Sequence, residues 1–169
     1  MLGRESKAER DAAFTAFMTD ATPSLLRTAW LLTGSHDRSQ ELVQAAFVKT
    51  YAAWPKVRRE QALAYARRIL VNHKTDTWRK TSREVIVDGV PERPIRPDST
   101  VEHRDEILRM LDLLPAQQRR IVVLRYYQDL SEQQTADLLG ISVGAVKSGA
   151  SRGLATLRTA HLTTEGSQR

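Results

Sequence analysis

Apolar residues recur along this chain at helical spacing almost throughout. Val43, Phe47, Tyr51 and Trp54 follow at +4, +4 and +3, one stripe of a helix expected to start near Asp37. Trp54-Pro55 closes it, because a proline disfavours helical geometry at the residue before it. Upstream, Leu25, Leu26, Ala29, Trp30 and Leu32 predict a second helix closed by Gly34, and Phe14, Phe17 and Met18 a shorter first one. Downstream, a helix fits Gln61 to about Arg83, with Ala66, Leu70 and His73 on one side. The texture then changes. Residues 84–101, EVIVDGVPERPIRPDSTV, hold three of the six prolines, and Pro91, Pro94 and Pro97 favour extended, polyproline-like backbone. Helical pattern resumes with Ile107, Leu111 and Leu114, breaks at Pro115, and continues over about Ala116–Tyr127 and 131–158. No βαβ texture appears. The expected fold is all-α: a first small helical domain over 8–83, a flexible linker over 84–103, and a second helical domain over 104–160.

Composition narrows the function classes. The 169 residues include no cysteine, which removes disulfide scaffolds, cysteine-ligated zinc and cysteine nucleophiles together. No apolar run approaches the roughly 18–20 residues of a membrane helix. The opening MLGRESKAERD has no apolar signal region, so the expected compartment is the cytoplasm. His36, His73, His103 and His161 are scattered, without HExxH or other ligand spacing. The glycines make no GxGxxG, and Gly144-Ala-Val-Lys147-Ser148 fails as a phosphate loop because Val146 precedes the lysine. No catalytic residue, metal or cofactor is expected. The formal charge is +6, unevenly spread: residues 1–83 hold 15 Lys+Arg against 8 Asp+Glu, residues 84–104 hold 3 against 5, and the remainder 8 against 7. A basic first half suits a polyanion, although a solvated basic surface gives the same count.

The most specific local pattern is SEQQTADLLGISVGAVKSGASRGLATLR, residues 131–158. Ser131 with Gln134 makes a capping box, Ala136 is small where a second helix must cross, Gly140 allows a tight turn, and Ser142 can cap the next helix. In that helix Val146, Ala150, Leu154 and Leu157 are expected to face inward, leaving Lys147, Ser148, Ser151 and Arg152 outside. This is a helix-turn-helix spacing, with polar donors on the helix that would enter a major groove. An αα-hairpin with a solvated face shares the periodicity. In the Gln61–Arg83 helix, Arg68, Asn72, Thr75 and Arg79 form a polar stripe, with Tyr65, Arg67, Lys74 and Trp78 on adjoining faces. Basic groups interleaved with rings suit single-stranded bases, but Tyr65 and Trp78 fit a core equally well.

Together these segments resemble a bacterial RNA polymerase sigma factor of the extracytoplasmic-function group, in the sigma-70 family. Residues 25–54 and 64–80 are similar to the parts of region 2, and residues 111–158 to region 4, in the family's order with the linker in place. The resemblance implies a promoter-recognition subunit that binds core polymerase, recognises a −35 element with region 4, and opens and reads a −10 element with region 2. Carried onto this sequence, it implies −35 contacts by Val143, Lys147, Ser148, Ser151 and Arg152, with Arg119, Arg120 and Arg125 as phosphate contacts. It implies −10 contacts by Lys56, Arg58 and Arg59 in the loop after Pro55 and by Arg68, Asn72, Lys74, Trp78 and Arg79. Glu41, Leu42, Gln44 and Phe47 would meet core polymerase, on the clamp helices of the largest subunit, while the flap of the second largest would be a further contact. The resemblance also implies promoter DNA as partner, an anti-sigma antagonist as a further possibility, no membrane insertion and a nucleoid-associated location. A stand-alone LuxR-like regulator is the alternative, since its DNA-binding domain resembles residues 115–158, but it leaves the helix at 61–83 without a role. Three positions depart from the family's pattern: Ala45, Gly149 and Gly153. An interior glycine costs a helix about 1 kcal/mol against alanine. The recognition helix is therefore expected to be loosely formed, and Gly149→Ala to stiffen it.

Overall fold

The computed structural model describes residues 5–73 and 99–166, and every regular element among them is helical. Helix α1 (Lys7–Thr33) opens on a capping box between Ser6 and Glu9 and closes on Gly34 at φ +68°. It joins the two helices expected from Phe14 and from Leu25 into one. Pro23 sits inside it at an exposed position. An interior proline costs about 3 kcal/mol, yet Phe14, Ala21, Leu25 and Ala29 bury a face that runs through it. Packing overrides the local breaker. Helix α2 (His36–Ala53) is capped by Ser35, and two short 3₁₀ turns, Trp54–Lys56 and Arg59–Gln61, lead to α3 (Ala62–Asn72).

Helix α3 ends at Asn72, where His73 leaves helical geometry at ψ 130° without any glycine or proline to stop it. Its last turn makes hydrogen bonds to groups from the second half of the chain, described below. Lys74, Thr75, Trp78, Arg79 and the prolines at 91, 94 and 97 lie outside the described residues.

The second half begins with α4 (Ser99–Leu111), so the last residues of the expected linker are helical. Pro115 then opens α5 (Ala116–Val122), which widens at its end into a π turn over Val123–Tyr127, with Gln128 N–H bonded to the Val123 carbonyl. Helix α6 (Glu132–Leu139) carries the expected Ser131–Gln134 capping box and closes on Gly140 at φ +66°. Helix α7 (Val143–Gly166) is continuous and runs past the expected end at 158.

Helices α1, α2 and α3 pack together, and α5 and α6 both pack on α7. The two halves do not keep separate interiors. Leu25, Leu32, Val43, Leu70 and Val71 of the first half share one buried cluster with Leu111, Leu114, Val122, Val123 and Leu124 of the second. Small bundles of this size bury a limited fraction of their apolar surface alone, and pooling it enlarges the core.

Candidate nucleic-acid interface

The helix-turn-helix is built around Ile121, Ala136, Val146 and Ala150, all buried. Ser142 Oγ accepts from the Ala145 N–H at 3.0 Å and so caps the start of α7. With Val146 turned inward, Lys147, Ser148, Ser151 and Arg152 are all exposed on one side of α7, and Val143 is half-buried against the cluster. Lys147 Nζ lies 3.7 Å from Glu132 Oε2, an exposed pair that leaves the ammonium accessible. Leu154 and Leu157, expected inside, are only half-buried; Gly153 takes the inner position instead.

The glycines of α7 belong to packing. A Cβ on Gly149 would lie 2.4 Å from Ile121 Cδ1, and one on Gly153 2.9 Å from Val122 Cγ2. Both glycines are the points where α7 crosses α5, which corrects the expectation of a loose helix that Gly149→Ala would improve. Their absent side chains let two backbones approach.

The first-half loop presents a different chemistry. Lys56 and Arg58 are exposed, Arg58 Nε sitting 3.5 Å from Glu60. Arg59 is engaged: its guanidinium stacks 3.9 Å from the Trp54 ring, donates to the Trp54 carbonyl, and pairs with Glu5 at 3.1 Å. Beneath it Trp54 is buried against Phe14 and Phe17, with ring centroids 5.0 and 5.3 Å away. Arg59 thus braces the loop. Between this loop and α6 lies an open cleft of about 720 Å³, lined by Lys56, Arg58, Tyr65, Arg67 and Arg68 on one side and Gln134 and Asp137 on the other. Arg67, which the sequence placed only on an adjoining face, is half-buried there, and burial lowers its pKa from the usual range.

Four polar side chains expected to face DNA cross between the halves. Arg68 Nη2 donates to the Asp137 carbonyl and Asn72 Nδ2 to the Leu138 carbonyl, each at 2.7 Å. Arg119, only 6% exposed, donates from Nε to the Leu31 carbonyl at 2.8 Å and pairs through Nη1 with Asp112 at 2.7 Å. Arg120 donates to the Val71 carbonyl and to Gln117. Arg125 stays within its own half, donating to the Leu130 carbonyl where Asp129 turns the chain at φ +52°.

In the first half, Glu41 and Gln44 are exposed on α2, while Leu42 and Phe47 are half-buried against the core. Gln44 and Phe47 line a groove of about 520 Å³ with Phe14, Met18, Val48 and Tyr51. Val48 and Tyr51 are 64% and 45% exposed. Tyr51, expected in the inner stripe, reaches outward to donate its hydroxyl to Asp11 at 2.7 Å. Among the described residues no cluster of acidic and histidine side chains could hold a metal ion, and no helix is long and apolar enough to cross a membrane.

Comparison with known proteins gives this arrangement its family. Residues 11–84 match the family model of sigma-70 region 2, and residues 104–157 that of sigma-70, region 4. The RNA polymerase sigma-E factor of Streptomyces coelicolor is 38% identical over 149 residues, covering 86% of this chain and 84% of that protein. The ECF RNA polymerase sigma factor SigD of Mycobacterium tuberculosis is 29% identical over 150 residues, covering 80% and 71%. Among solved structures, the sigma factor RpoE in complex with the anti-sigma factor NepR, from Bartonella quintana, superposes with a TM-score of 0.69 at 26% identity, over 86% of this chain and 94% of that one. CnrH, solved with the cytosolic domain of CnrY, is similar in fold at a TM-score of 0.67 and 22% identity, over 91% and 90%. The chain belongs to the sigma-70 family of DNA-binding transcription-initiation factors. Within that family it is an extracytoplasmic-function sigma factor, and sigma factors are regulatory subunits with no enzymatic activity. The region 2 match accounts for the half that a LuxR-like regulator would leave over.

Proposed function

We propose that this chain binds core RNA polymerase and directs it to promoters by placing α7 in the major groove of a −35 element while α3 and the loop before it take the melted −10 strand. The observation that carries this reading is the outward face of Lys147, Ser148, Ser151 and Arg152 on a capped helix-turn-helix, in the same chain as the basic cleft around Lys56, Arg58 and Arg68. Long donors on a groove-sized helix can read guanine edges, and a basic cleft with a tyrosine at its wall can track and stack a single strand. Lys74, Trp78 and Arg79 belong to the same −10 proposal on sequence alone. Reconstitution with core polymerase, followed by run-off transcription from promoters selected out of a random library, tests the whole assignment.

Arg152 is assigned to base reading because its planar fork can pair bidentately with guanine. Arg152→Ala should remove about 1–3 kcal/mol of discrimination at one or two base pairs and leave the others unchanged. A binding series on single-base −35 variants measures it; a uniform loss would make Arg152 a backbone clamp.

Core binding is assigned to α2, with the clamp helices of the largest polymerase subunit as the partner of Glu41, Leu42, Gln44 and Phe47, and the flap of the second largest as the partner of the second half. Glu41→Arg should weaken holoenzyme formation in a pull-down while shifting stability by no more than about 0.5 kcal/mol, as surface charge changes usually do. Undiminished capture of core subunits would move the contact elsewhere. Such a protein works in the cytoplasm, on the nucleoid. An anti-sigma antagonist is proposed as a further partner, on the likeness to RpoE, which was solved in complex with one.

A further inference from the structure

The loop before α3 is lightly held by its own backbone. Between its two 3₁₀ turns, Val57 and Arg58 are extended, at ψ 125° and 133°. Val57 N–H reaches back to the Ala53 and Trp54 carbonyls, and Gln61 N–H to the Arg58 carbonyl, each closing one turn. A side chain joins the second turn to the first: Arg59 Nη1 donates to the Trp54 carbonyl at 3.3 Å. The same guanidinium lies 3.9 Å from the centre of the Trp54 ring, and its Nη2 donates to both Glu5 carboxylate oxygens at 3.2 and 3.1 Å. Glu5 is itself well placed for this. It stands next to the N-cap of α1, where the Ser6–Glu9 capping box fixes the entry of the chain. Asp11 then accepts from the Tyr51 hydroxyl, and Phe14 packs on Trp54, so the start of α1 is tied to the end of α2.

We propose that Glu5 and Arg59 are the positioning pair of the −10 loop: they fix which bases Lys56 and Arg58 can reach, and Arg59 itself does not touch the strand. The inference rests on the −10 reading given above and names what gives that loop its specificity. The sequence offers Arg59 as a strand contact beside Lys56 and Arg58, but the three differ in their partners. Lys56 and Arg58 are exposed, and the open pair of Arg58 with Glu60 at 3.5 Å is readily exchanged for a phosphate. To reach Arg59 a phosphate has to displace a carboxylate and then stand beside it, like charge against like. The position also asks for more than charge. A planar guanidinium stacks on a ring while giving donors in fixed directions, whereas an ammonium is a point charge. Side chains on a loop recognise a ligand only as sharply as the groups beneath hold the loop.

The test reads base discrimination rather than stability, because an exposed ion pair adds little to the fold. Holoenzymes reconstituted from the full chain and core polymerase bind fluorescent pre-melted bubbles that differ in single non-template bases, over a series of salt concentrations. Glu5→Ala should lower the preference for the best base about tenfold, with the salt slope unchanged. Arg59→Lys should lose the same preference although it keeps the charge, and Arg59→Gln should do no worse. Circular dichroism and the urea midpoint check that each variant is folded, and Glu5→Ala carries the test alone if the Arg59 variants are not. A direct phosphate contact predicts the reverse: Arg59→Lys close to the parent, and Arg59→Gln weakening every bubble alike with the slope lowered by about 0.7. That result overturns the proposal. So does Glu5→Ala with parental discrimination, or with tighter binding to all bubbles, since the carboxylate would then only hold Arg59 back from the strand. Lys56→Gln combined with Arg58→Gln separates the two layers. If that holoenzyme binds the bubbles as the parent does, the −10 reading of the loop has failed and the positioning role falls with it; in every other outcome that reading stands.

Discussion

Gly149→Leu should unfold or splay the second half and abolish −35 duplex binding, although the position touches no proposed DNA contact. A Cβ there meets Ile121 Cδ1 at 2.4 Å, and Ile121 is 1% exposed, enclosed by Ala136, Val146 and Ala150. Extra methylenes in a closed core cost about 1–3 kcal/mol, more than the roughly 1 kcal/mol that replacing an interior glycine returns in helix propensity. A whole leucine should therefore lower stability by about 3 kcal/mol or more, read as a fall in the urea midpoint. The milder Gly149→Ala identifies the cause. The overlapping atom is Cδ1, which valine lacks, so Ile121→Val should recover much of the loss in a double-mutant cycle. Gly149→Ala that is neutral or stabilising in the parent background would show that Ile121 Cδ1 swings aside and that the overlap costs little.

The second large effect is expected at Trp54. Its ring is 2% exposed, packed against Phe14 and Phe17 and covered on one face by Arg59. Trp54→Ala should cost about 3–5 kcal/mol, the usual range for deleting a buried aromatic. The loss should reach function through the loop it anchors. Without the ring, Arg59 loses its stacking surface, and Lys56 and Arg58 lose a fixed platform facing the cleft. Binding of a pre-melted promoter bubble by holoenzyme should fall, and Trp54→Phe should restore part of both stability and binding. Stability lost with bubble binding intact would separate the loop from the −10 strand.

Much of the fold was legible because its signals are short-range. The capping box of Ser131 and Gln134, the left-handed Gly140 and the Ser142 cap all act within four residues, so the helix-turn-helix could be read directly. Helix α2 was legible for the same reason, its stripe closing at Trp54-Pro55. What the sequence did not announce involved partners distant in sequence. Arg119 and Arg120 look like phosphate donors because adjacent arginines usually face solvent, whereas their acceptors lie 88 and 49 residues away. Those acceptors are backbone carbonyls, which leave no mark in a sequence. Gly149 is a different failure. Val146, Gly149 and Gly153 follow at +3 and +4, an inner stripe of small residues that the spacing could have revealed. Pro23 was outweighed by a buried face no single position announces.

The shared interior has a consequence for how such chains can diversify. Two family modules, region 2 and region 4, separated by a proline-rich segment invite exchange by recombination. Here Leu70 and Val71 of one module lie in the same cluster as Val122, Val123 and Leu124 of the other. A chimera that swapped the second module would inherit a new outer face on α7 and a mismatched partner surface on α5. Exposed side chains on α7 can drift freely, but the inward side chains of the two modules must change in concert.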